Sequence, residues 1–297
     1  MIDIEPTFDD RDGWIWHDGA LVPWREAKVH VLTHALHYAS SVFEGVRAYN
    51  GNIFALDAHS QRLRDSASML GFELPWSVAE IGDACNQTLA ANNMTDAYVR
   101  PVAWRGSEQM GVGAQRTKPH MAIAVWHWGA YFGEDKLRAG IRLDIAPWRR
   151  PAPHTAPVHA KAAGLYMIAT LSKHQASDRG FDDALMFDWR GQVAEATGAN
   201  AFFVKEGILH TPTPDAFLDG ITRRTVIALA RQRGIEVVER AIWPEELESF
   251  EQFFVTGSAA EVTPVQSAGP WRFEVGDLTR QMQKDYNDLA NGRLGLS

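Results

Sequence analysis

Apolar and polar positions alternate in short runs at the start of the chain. Trp14-Ile15-Trp16-His17 and Ala20-Leu21-Val22-Pro23 flank Asp18-Gly19, a pairing that predicts a β-hairpin. Ser41-Val42-Phe43-Glu44-Gly45-Val46-Arg47-Ala48-Tyr49 alternates like one strand, and Asn50-Gly51-Asn52 turns it into Ile53-Phe54-Ala55-Leu56, a second hairpin. The period then lengthens. Leu63, Ala67 and Leu70 share one helical face, with Asp57 as N-cap and Gly71 as terminator. A helix over residues 78–92 follows, then strands at 97–102 and 121–126.

Trp126-His127-Trp128-Gly129-Ala130-Tyr131-Phe132-Gly133 breaks this pattern, and its aromatic, glycine-punctuated composition reads as a linker that doubles as a pocket wall. The expected organisation is a smaller N-terminal α/β domain over 1–126, a linker over 127–136, and a C-terminal domain over 137–297. In the latter, 141–145 is a strand and 147–157 a proline-rich loop. From Tyr166, the positions Ile168, Leu171 and Ala176 predict a helix ending near Gly180. Strand pairs are expected around Asp188-Trp189-Arg190-Gly191 and around Glu206-Gly207. A helix over 223–233 closed by Gly234, strands at 236–240 and 252–256, and an amphipathic helix over 278–289 complete the pattern.

A length of 297 residues suits two domains, and 45% hydrophobic with 22% charged residues is an ordinary globular balance. The 29 basic against 37 acidic side chains give −8, and no basic run exceeds a pair such as Arg149-Arg150, which excludes a nucleic-acid surface. The only cysteine, Cys85, rules out an intrachain disulfide and reads as a core residue on a helix. Met1-Ile2-Asp3-Ile4-Glu5 lacks the apolar core of a signal peptide, and no stretch approaches the roughly 18 apolar residues of a membrane span. A cytoplasmic location is therefore expected. His30, His34 and His37 share a helical face if 29–38 is helical, but no Glu-x-x-His accompanies them, so they read as structural and no metal is expected.

Three features point to chemistry. Lys161 lies in Ala160-Lys161-Ala162-Ala163-Gly164-Leu165-Tyr166, whose small residues leave room for a flat group against the backbone; a desolvated lysine amine is a nucleophile. Gly220-Ile221-Thr222 opens a helix and Gly257-Ser258-Ala259 follows a strand, so both can offer backbone N–H groups to a phosphate, with Arg62 as a charged fork. Glu195 reads either as a solvated strand end or, if buried, as a carboxylate in need of a partner that carries a proton, such as a pyridinium nitrogen. A Schiff-base lysine, a phosphate cup, a tyrosine for a phenolate oxygen and an acid for a ring nitrogen together describe pyridoxal 5′-phosphate chemistry.

From Trp16 to about Tyr286 the chain resembles the fold-type IV pyridoxal-phosphate transferases, branched-chain amino acid aminotransferases above all. The most specific likeness is Glu195, Thr197, Asn200, Leu209-His210-Thr211 and Leu218-Asp219-Gly220-Ile221-Thr222-Arg223. Thr33-His34-Ala35-Leu36-His37-Tyr38, Ser41-Val42-Phe43-Glu44-Gly45, Tyr98-Val99-Arg100-Pro101 and Gly257-Ser258-Ala259-Ala260-Glu261 are similar as well. The resemblance implies an α/β (α+β) fold of two domains, the second a pseudo-barrel, with pyridoxal phosphate as cofactor. It implies Lys161 as the catalytic Schiff-base lysine, Tyr166 at the phenolate oxygen and Glu195 at the pyridine nitrogen. Arg62, Ile221, Thr222 and Ser258 would hold the phosphate. Tyr98 and the backbone at Ser258 and Ala259 would receive the substrate α-carboxylate, and Arg100 the second carboxylate of glutamate or 2-oxoglutarate. Tyr38, Phe43, Trp128 and Tyr131 would shape an apolar pocket. The activity implied is ping-pong transamination between a branched-chain L-amino acid and 2-oxoglutarate, in a homodimer or larger assembly whose partner loop helps close the pocket.

The chain departs from the family at several positions. Leu165 replaces the usual Asn beside Tyr166, Ala199 a usual Glu, and Ala39 a usual Gly, while Arg105 and Glu108 add charge after Tyr98. These departures bear on substrate choice. R-selective amine transaminases, D-amino acid aminotransferases and, further off, aminodeoxychorismate lyases share the scaffold; a binding protein that keeps the fold without chemistry is the non-enzymatic alternative. Tyr98-x-Arg100 favours the branched-chain type.

Overall fold

The computed structural model describes residues 7–129 and 131–296; the expectation at Met1 to Glu5 lies outside them, as does Ala130 of the expected linker. Asp18 and Gly19 take positive φ (49° and 105°), and their turn joins β1 (Trp14–His17) to β2 (Ala20–Pro23), with Trp16 opposite Leu21. Within 29–38, α1 (His34–Tyr38) is helical, closed by Ala39 at φ 54°. The stretch 41–49 is two strands rather than one, β3 (Ser41–Phe43) and β4 (Val46–Tyr49). Two facts break it. The Glu44 carboxylate turns into the interior, and a Cβ at Gly45 would lie 1.9 Å from the Tyr98 hydroxyl.

Strand β5 (Asn52–Ile53) is short because α2 (Leu56–Met69) starts at once. Its cap is Ala55 at φ 51°, not Asp57, whose charge sits inside the first turn at the positive helix end. Helix α3 (Val78–Ala91) begins with a reciprocal cap, the Ser77 hydroxyl accepting from Glu80 N–H and the Glu80 carboxylate from Ser77 N–H. The long hairpin β6 (Ala97–Arg105) and β7 (Pro119–Trp126) is the spine of a sheet ordered β2-β1-β7-β6-β4-β5, with β3 also on β6. Leu63, Ile81, Cys85, Val99, Met121 and Ile123 are fully buried around it.

The second sheet is a closed ring. After α4 (Glu134–Ala139), β8 (Ile141–Ile145) leads through a long loop to a 3-10 turn (Ala163–Tyr166) and α5 (Met167–Asp178). Then come β9 (Asp183–Phe187), β10 (Val193–Ala196), β11 (Asn200–Lys205), β12 (Ile208–Pro212), α6 (Ile221–Gln232) and β13 (Val237–Arg240). Strands β14 (Gln252–Gly257), β15 (Glu261–Ala268) and β16 (Trp271–Arg272) and helix α7 (Asp277–Ala290) finish the chain. The order β10-β9-β8-β15-β14-β11 closes where Glu195 of β10 pairs with Asn200 of β11.

Leu143, Leu185, Val193, Ala201, Phe203, Phe253, Val255 and Val265 fill the ring, with Phe203 and Phe253 stacked at 4.3 Å. On the outer face, Ala169 and Ala176 of α5 pack on Ala184 and Met186, while α6 and α7 cover β14. Leu171, placed on the buried face by its spacing, is exposed; Ala169, Ser172 and Ala176 are the buried positions of α5. Strand β15 has no counterpart in the sequence expectation. Pro264, which cannot donate to the ladder, disguises a strand that nevertheless joins β14 to β8.

The chain falls into two compact units, one formed by residues up to Trp128 with Ala160–Gly164, the other by Gly129–His159 with Leu165 onward. Lys161 thus belongs to the first unit. No helix among the described residues is long and apolar enough to cross a membrane.

Candidate active site

Lys161 is pinned through its backbone. Its N–H donates to the Ser66 hydroxyl of α2 at 3.0 Å, its carbonyl accepts from Phe43 N–H at 3.1 Å, and Ala162 bridges Val42 as a strand would. The side chain is half-buried, with Nζ 5.0 Å from the centre of the Phe43 ring. A fixed backbone and an amine against an aromatic face suit a lysine that must reach one electrophile repeatedly.

Beside it lies a buried charge network. The Glu44 carboxylate is fully enclosed and accepts from Arg62 Nε at 2.6 Å, Arg62 Nη2 at 2.8 Å and His59 Nδ1 at 2.7 Å. Burial opposes ionisation of Glu44, but the Arg62 guanidinium and His59 outweigh it and hold the carboxyl well below its ordinary range. Burial also lowers His59, more than Glu44 raises it, so the ring is neutral at pH 7. The expected phosphate role of Arg62 came with no sign of Glu44, or of the His59 that shares this carboxylate. The fork is thus oriented by a carboxylate that lies outside the helix that carries it. Cys85, also enclosed, is pushed up to about 12 by burial and is no nucleophile at neutral pH.

Tyr98 and Arg100 both sit on β6, and Arg100 Nη2 donates to the Tyr98 hydroxyl at 3.1 Å. The guanidinium lies over Phe43, Tyr98 and Trp126 at 4.8, 5.2 and 5.8 Å from their ring centres. Its Nε is buried and has no hydrogen-bond partner among the described residues. Trp128 packs edge-on against Tyr98 at 4.6 Å and accepts from Arg47 through its carbonyl. Tyr38 lies against His34 and is exposed. Each of the three histidines has a protein partner: His34 bonds Ser40 and the Gly111 carbonyl, His37 the Val31 carbonyl, and His30 accepts from Leu32 N–H. No cluster of His, Cys, Asp or Glu among the described residues could hold a metal.

In the second unit Glu195 is 8% exposed, so the solvated-end alternative falls. Its Oε1 lies 3.2 Å from Arg150 Nε, and its Oε2 accepts from Asn200 Nδ2 at 3.2 Å. Asn200 is itself held by the Leu218 carbonyl and by Gly220 N–H. A Cβ at Gly220 would lie 2.1 Å from Asn200 Oδ1, so the turn before α6 requires glycine. Tyr166 stands at the N-cap of α5, and Ile221 and Thr222 are buried in the first turn of α6, whose N-cap Gly220 supplies no side-chain cap. Ser258 and Ala259 form the half-buried turn between β14 and β15. Tyr131 is exposed, packed on Phe132 at 4.7 Å.

Half of the sequence signature is scaffold. Thr197 donates to Asp183 at 2.5 Å, Thr211 donates to the Ala201 carbonyl and accepts from Arg223, and the buried Arg223 also pairs with Asp219 and Glu239. The departures also acquire jobs. Arg105 bonds Ala114, Thr117 and Gly71, and Glu108 accepts from Lys118 N–H, so both shape the loop between β6 and β7. Leu165 is 9% exposed, an apolar core position, and Ala199 is buried.

These residues fit pyridoxal phosphate. A buried carboxylate, an uncapped helix start and the Thr256 hydroxyl occur together in the second unit; Thr256 is 1% exposed and its Oγ1 has no hydrogen-bond partner among the described residues. Thr256 lies directly across from Asn200, which lies across from Glu195, so the three form one polar row on the outer face of the ring. A ligand with both a protonated ring nitrogen and an anionic group matches that row and the α6 terminus.

A model of the amino-transferase class IV family matches residues 41–268. A branched-chain-amino-acid aminotransferase from Pseudomonas aeruginosa is 43% identical over 291 residues, covering 96% of this chain and 95% of that protein. Among solved structures, the branched-chain amino acid aminotransferase of Escherichia coli matches at TM-score 0.92 and 38% identity, over 96% of this chain and 97% of that one. A branched-chain amino acid aminotransferase from T.th., complexed with N-(5′-phosphopyridoxyl)-L-glutamate, matches at TM-score 0.89 and 35% identity, over 96% of each chain. With a family match across most of its length and relatives this similar over nearly their whole lengths, the chain belongs to the class IV aminotransferases, in their branched-chain-amino-acid group.

Proposed function

We propose that this protein transfers the amino group of a branched-chain L-amino acid to 2-oxoglutarate by a two-stage exchange at a single site, with pyridoxal phosphate bound to Lys161. The observation that carries this reading is the Arg100 guanidinium set among Phe43, Tyr98 and Trp126. One site must accept an alkyl side chain in one half of the exchange and a carboxylate in the other. Aromatic faces serve the first, and a cation with a buried, unpaired Nε serves the second. The relative complexed with a phosphopyridoxyl-L-glutamate supports the same acceptor.

In this reading Arg62, Ile221, Thr222 and Ser258 hold the cofactor phosphate, Tyr166 its phenolate oxygen and Glu195 its ring nitrogen. When bound, pyridoxal phosphate supplies a ring that draws electrons from the substrate Cα. Tyr98 and the Ser258-Ala259 backbone orient the α-carboxylate, and Tyr38, Phe43, Trp128 and Tyr131 exclude water from the side chain. Lys161 would hold the cofactor covalently through Nζ, and its amine would be the base that carries the Cα proton.

A donor panel tests the substrate. With 2-oxoglutarate as acceptor, L-leucine, L-isoleucine and L-valine are expected to turn over at least about tenfold faster than D-alanine or 1-phenylethylamine, a difference of about 1.4 kcal/mol in the barrier. Faster turnover of 1-phenylethylamine than of L-leucine would assign the site to amines instead.

The partner in this reading is a second copy of the chain. Val29, Val31, Leu32, Leu36, Tyr38, Met110 and Val112 are exposed, Val112 at 88%, and the bond from the His34 ring to the Gly111 carbonyl holds the two segments that carry them together. Sedimentation is expected to give at least twice the chain mass, reduced by Val31→Glu with Leu36→Glu. A native protein with the mass of one chain would contradict it.

A further inference from the structure

Arg150 lies in the proline-rich loop after β8, and neither the sequence signature nor the cofactor contacts assigned to this site give it a task. It is a nearly enclosed cation, 5% exposed. Its backbone is fixed by donating to the Phe187 carbonyl at 2.8 Å and by a bridge to Asp188. Its side chain does two things. Nε makes an ion contact with Glu195 Oε1 at 3.2 Å, and Nη1 donates to the Leu165 carbonyl at 3.4 Å, one residue before Tyr166. A buried arginine is costly unless its charge is matched, and a buried Glu195 has the same requirement.

The second Glu195 oxygen continues the chain of contacts. Oε2 accepts from Asn200, which accepts from Gly220 N–H, the residue before Ile221 and Thr222. One continuous path therefore runs Leu165, Arg150, Glu195, Asn200, Gly220. It links the start of α5 to the start of α6 and passes through the carboxylate midway.

We propose that Arg150 is a positioning residue for the cofactor: it sets a cation beside Glu195, keeps that carboxylate aimed at the ring nitrogen, and locks the Tyr166 end of the site to the same carboxylate. It touches neither substrate nor the reacting atoms. This inference rests on Glu195 facing the pyridine nitrogen. Without Arg150, Glu195 loses the cation beside it and can turn away from its place, and a displaced carboxylate no longer stabilises a protonated ring.

The test is a cycle on the holoenzyme: Arg150→Met, Glu195→Gln and the double variant. The readouts are the dissociation constant of pyridoxal phosphate from the resolved protein and the position of the bound cofactor's visible absorbance band. Arg150→Met is expected to weaken cofactor binding about 10- to 100-fold and to move the band in the direction that Glu195→Gln moves it. In the Glu195→Gln background the Arg150 change is expected to add less than about twofold, because its effect runs through Glu195. Arg150→Lys, which keeps the charge but not the fork, is expected to restore the band while recovering only part of the affinity.

Should Arg150→Met fail to fold, the double variant removes both buried charges and Arg150→Lys keeps one, so the comparison still stands on those two. Arg150→Met or Arg150→Lys with wild-type affinity and an additive double variant would overturn the inference. If instead Glu195→Gln leaves the band and the affinity unchanged, the placement of Glu195 at the ring nitrogen fails, a result distinct from failure of the Arg150 role.

Discussion

Lys161→Ala is expected to fold normally and to lose transamination by at least about 10²–10⁴-fold, the contribution of one positioned proton carrier, with the loss of the covalent link adding to it. The fold is spared because the bonds that hold this position use the main chain: N–H to Ser66, carbonyl from Phe43. Neither needs the side chain, so the unfolding free energy is expected to change by no more than about 0.5 kcal/mol. The rate is not spared, since the amine is the one group on this segment able to attack an aldehyde and then carry a proton. Single-turnover mixing with L-leucine measures the loss. A variant that keeps half of the wild-type rate would remove Lys161 from the chemistry.

The second large effect concerns stability. Glu44→Gln keeps the shape of the side chain but removes the buried charge that Arg62 and His59 face, and the expected cost is about 3–5 kcal/mol in urea unfolding of the cofactor-free protein. The pH dependence has a definite sign. The folded-state Glu44 ionises below its ordinary value of 4.5, so the native protein resists a proton that the unfolded chain accepts. Its stabilisation is complete above that ordinary value and drains away as pH falls below it. His59, lowered from 6.5 by burial, acts in the same direction but starts earlier in the descent. The gap between wild type and Glu44→Gln is therefore expected to narrow on acidification below about pH 4.5. A constant gap through that range would show that Glu44 is not the titrating partner.

Local chemistry was legible in the residues where it is set by neighbours in sequence. Asp18-Gly19 made its hairpin because both residues accept positive φ, and Gly220 was recognisable as the turn before a helix. The candidate site was readable as a set of residue types: an amine, a carboxylate, an arginine and two anion-binding turns. What was not readable is what holds them. Arg62 meets Glu44 across 18 positions and His59 meets it across 15, and no periodicity joins a strand break to two turns of a helix. Arg150 sits in a loop whose prolines suggested only irregular backbone, yet its charge reaches Glu195.

Errors of the opposite kind arose where tertiary packing overrode pattern. The alternating run 41–49 looked like one strand, but the burial of Glu44 and the closeness of Tyr98 to Gly45 break it in two. Pro264 hid a strand that completes the ring. Arg105 and Glu108, read as charge added after Tyr98, brace the loop between β6 and β7. Of the signature, Thr197, Thr211 and Arg223 tie segments of the second unit together, whereas Glu195 and the α6 start are the parts that the proposed reading assigns to the cofactor.

The most direct measurement traps the cofactor where it is bound. Purified protein with pyridoxal phosphate is reduced with borohydride, with and without prior addition of L-leucine, and the phosphopyridoxyl group is located by peptide mass mapping. The group is expected on Lys161 alone, and it is expected to disappear from the protein when L-leucine is added first, because a cofactor exchanged onto the substrate amine has no reducible link to the lysine. A label on another lysine, or a Lys161 label undiminished by L-leucine, would contradict the assignment of Lys161 as the residue that holds the cofactor and exchanges it with substrate.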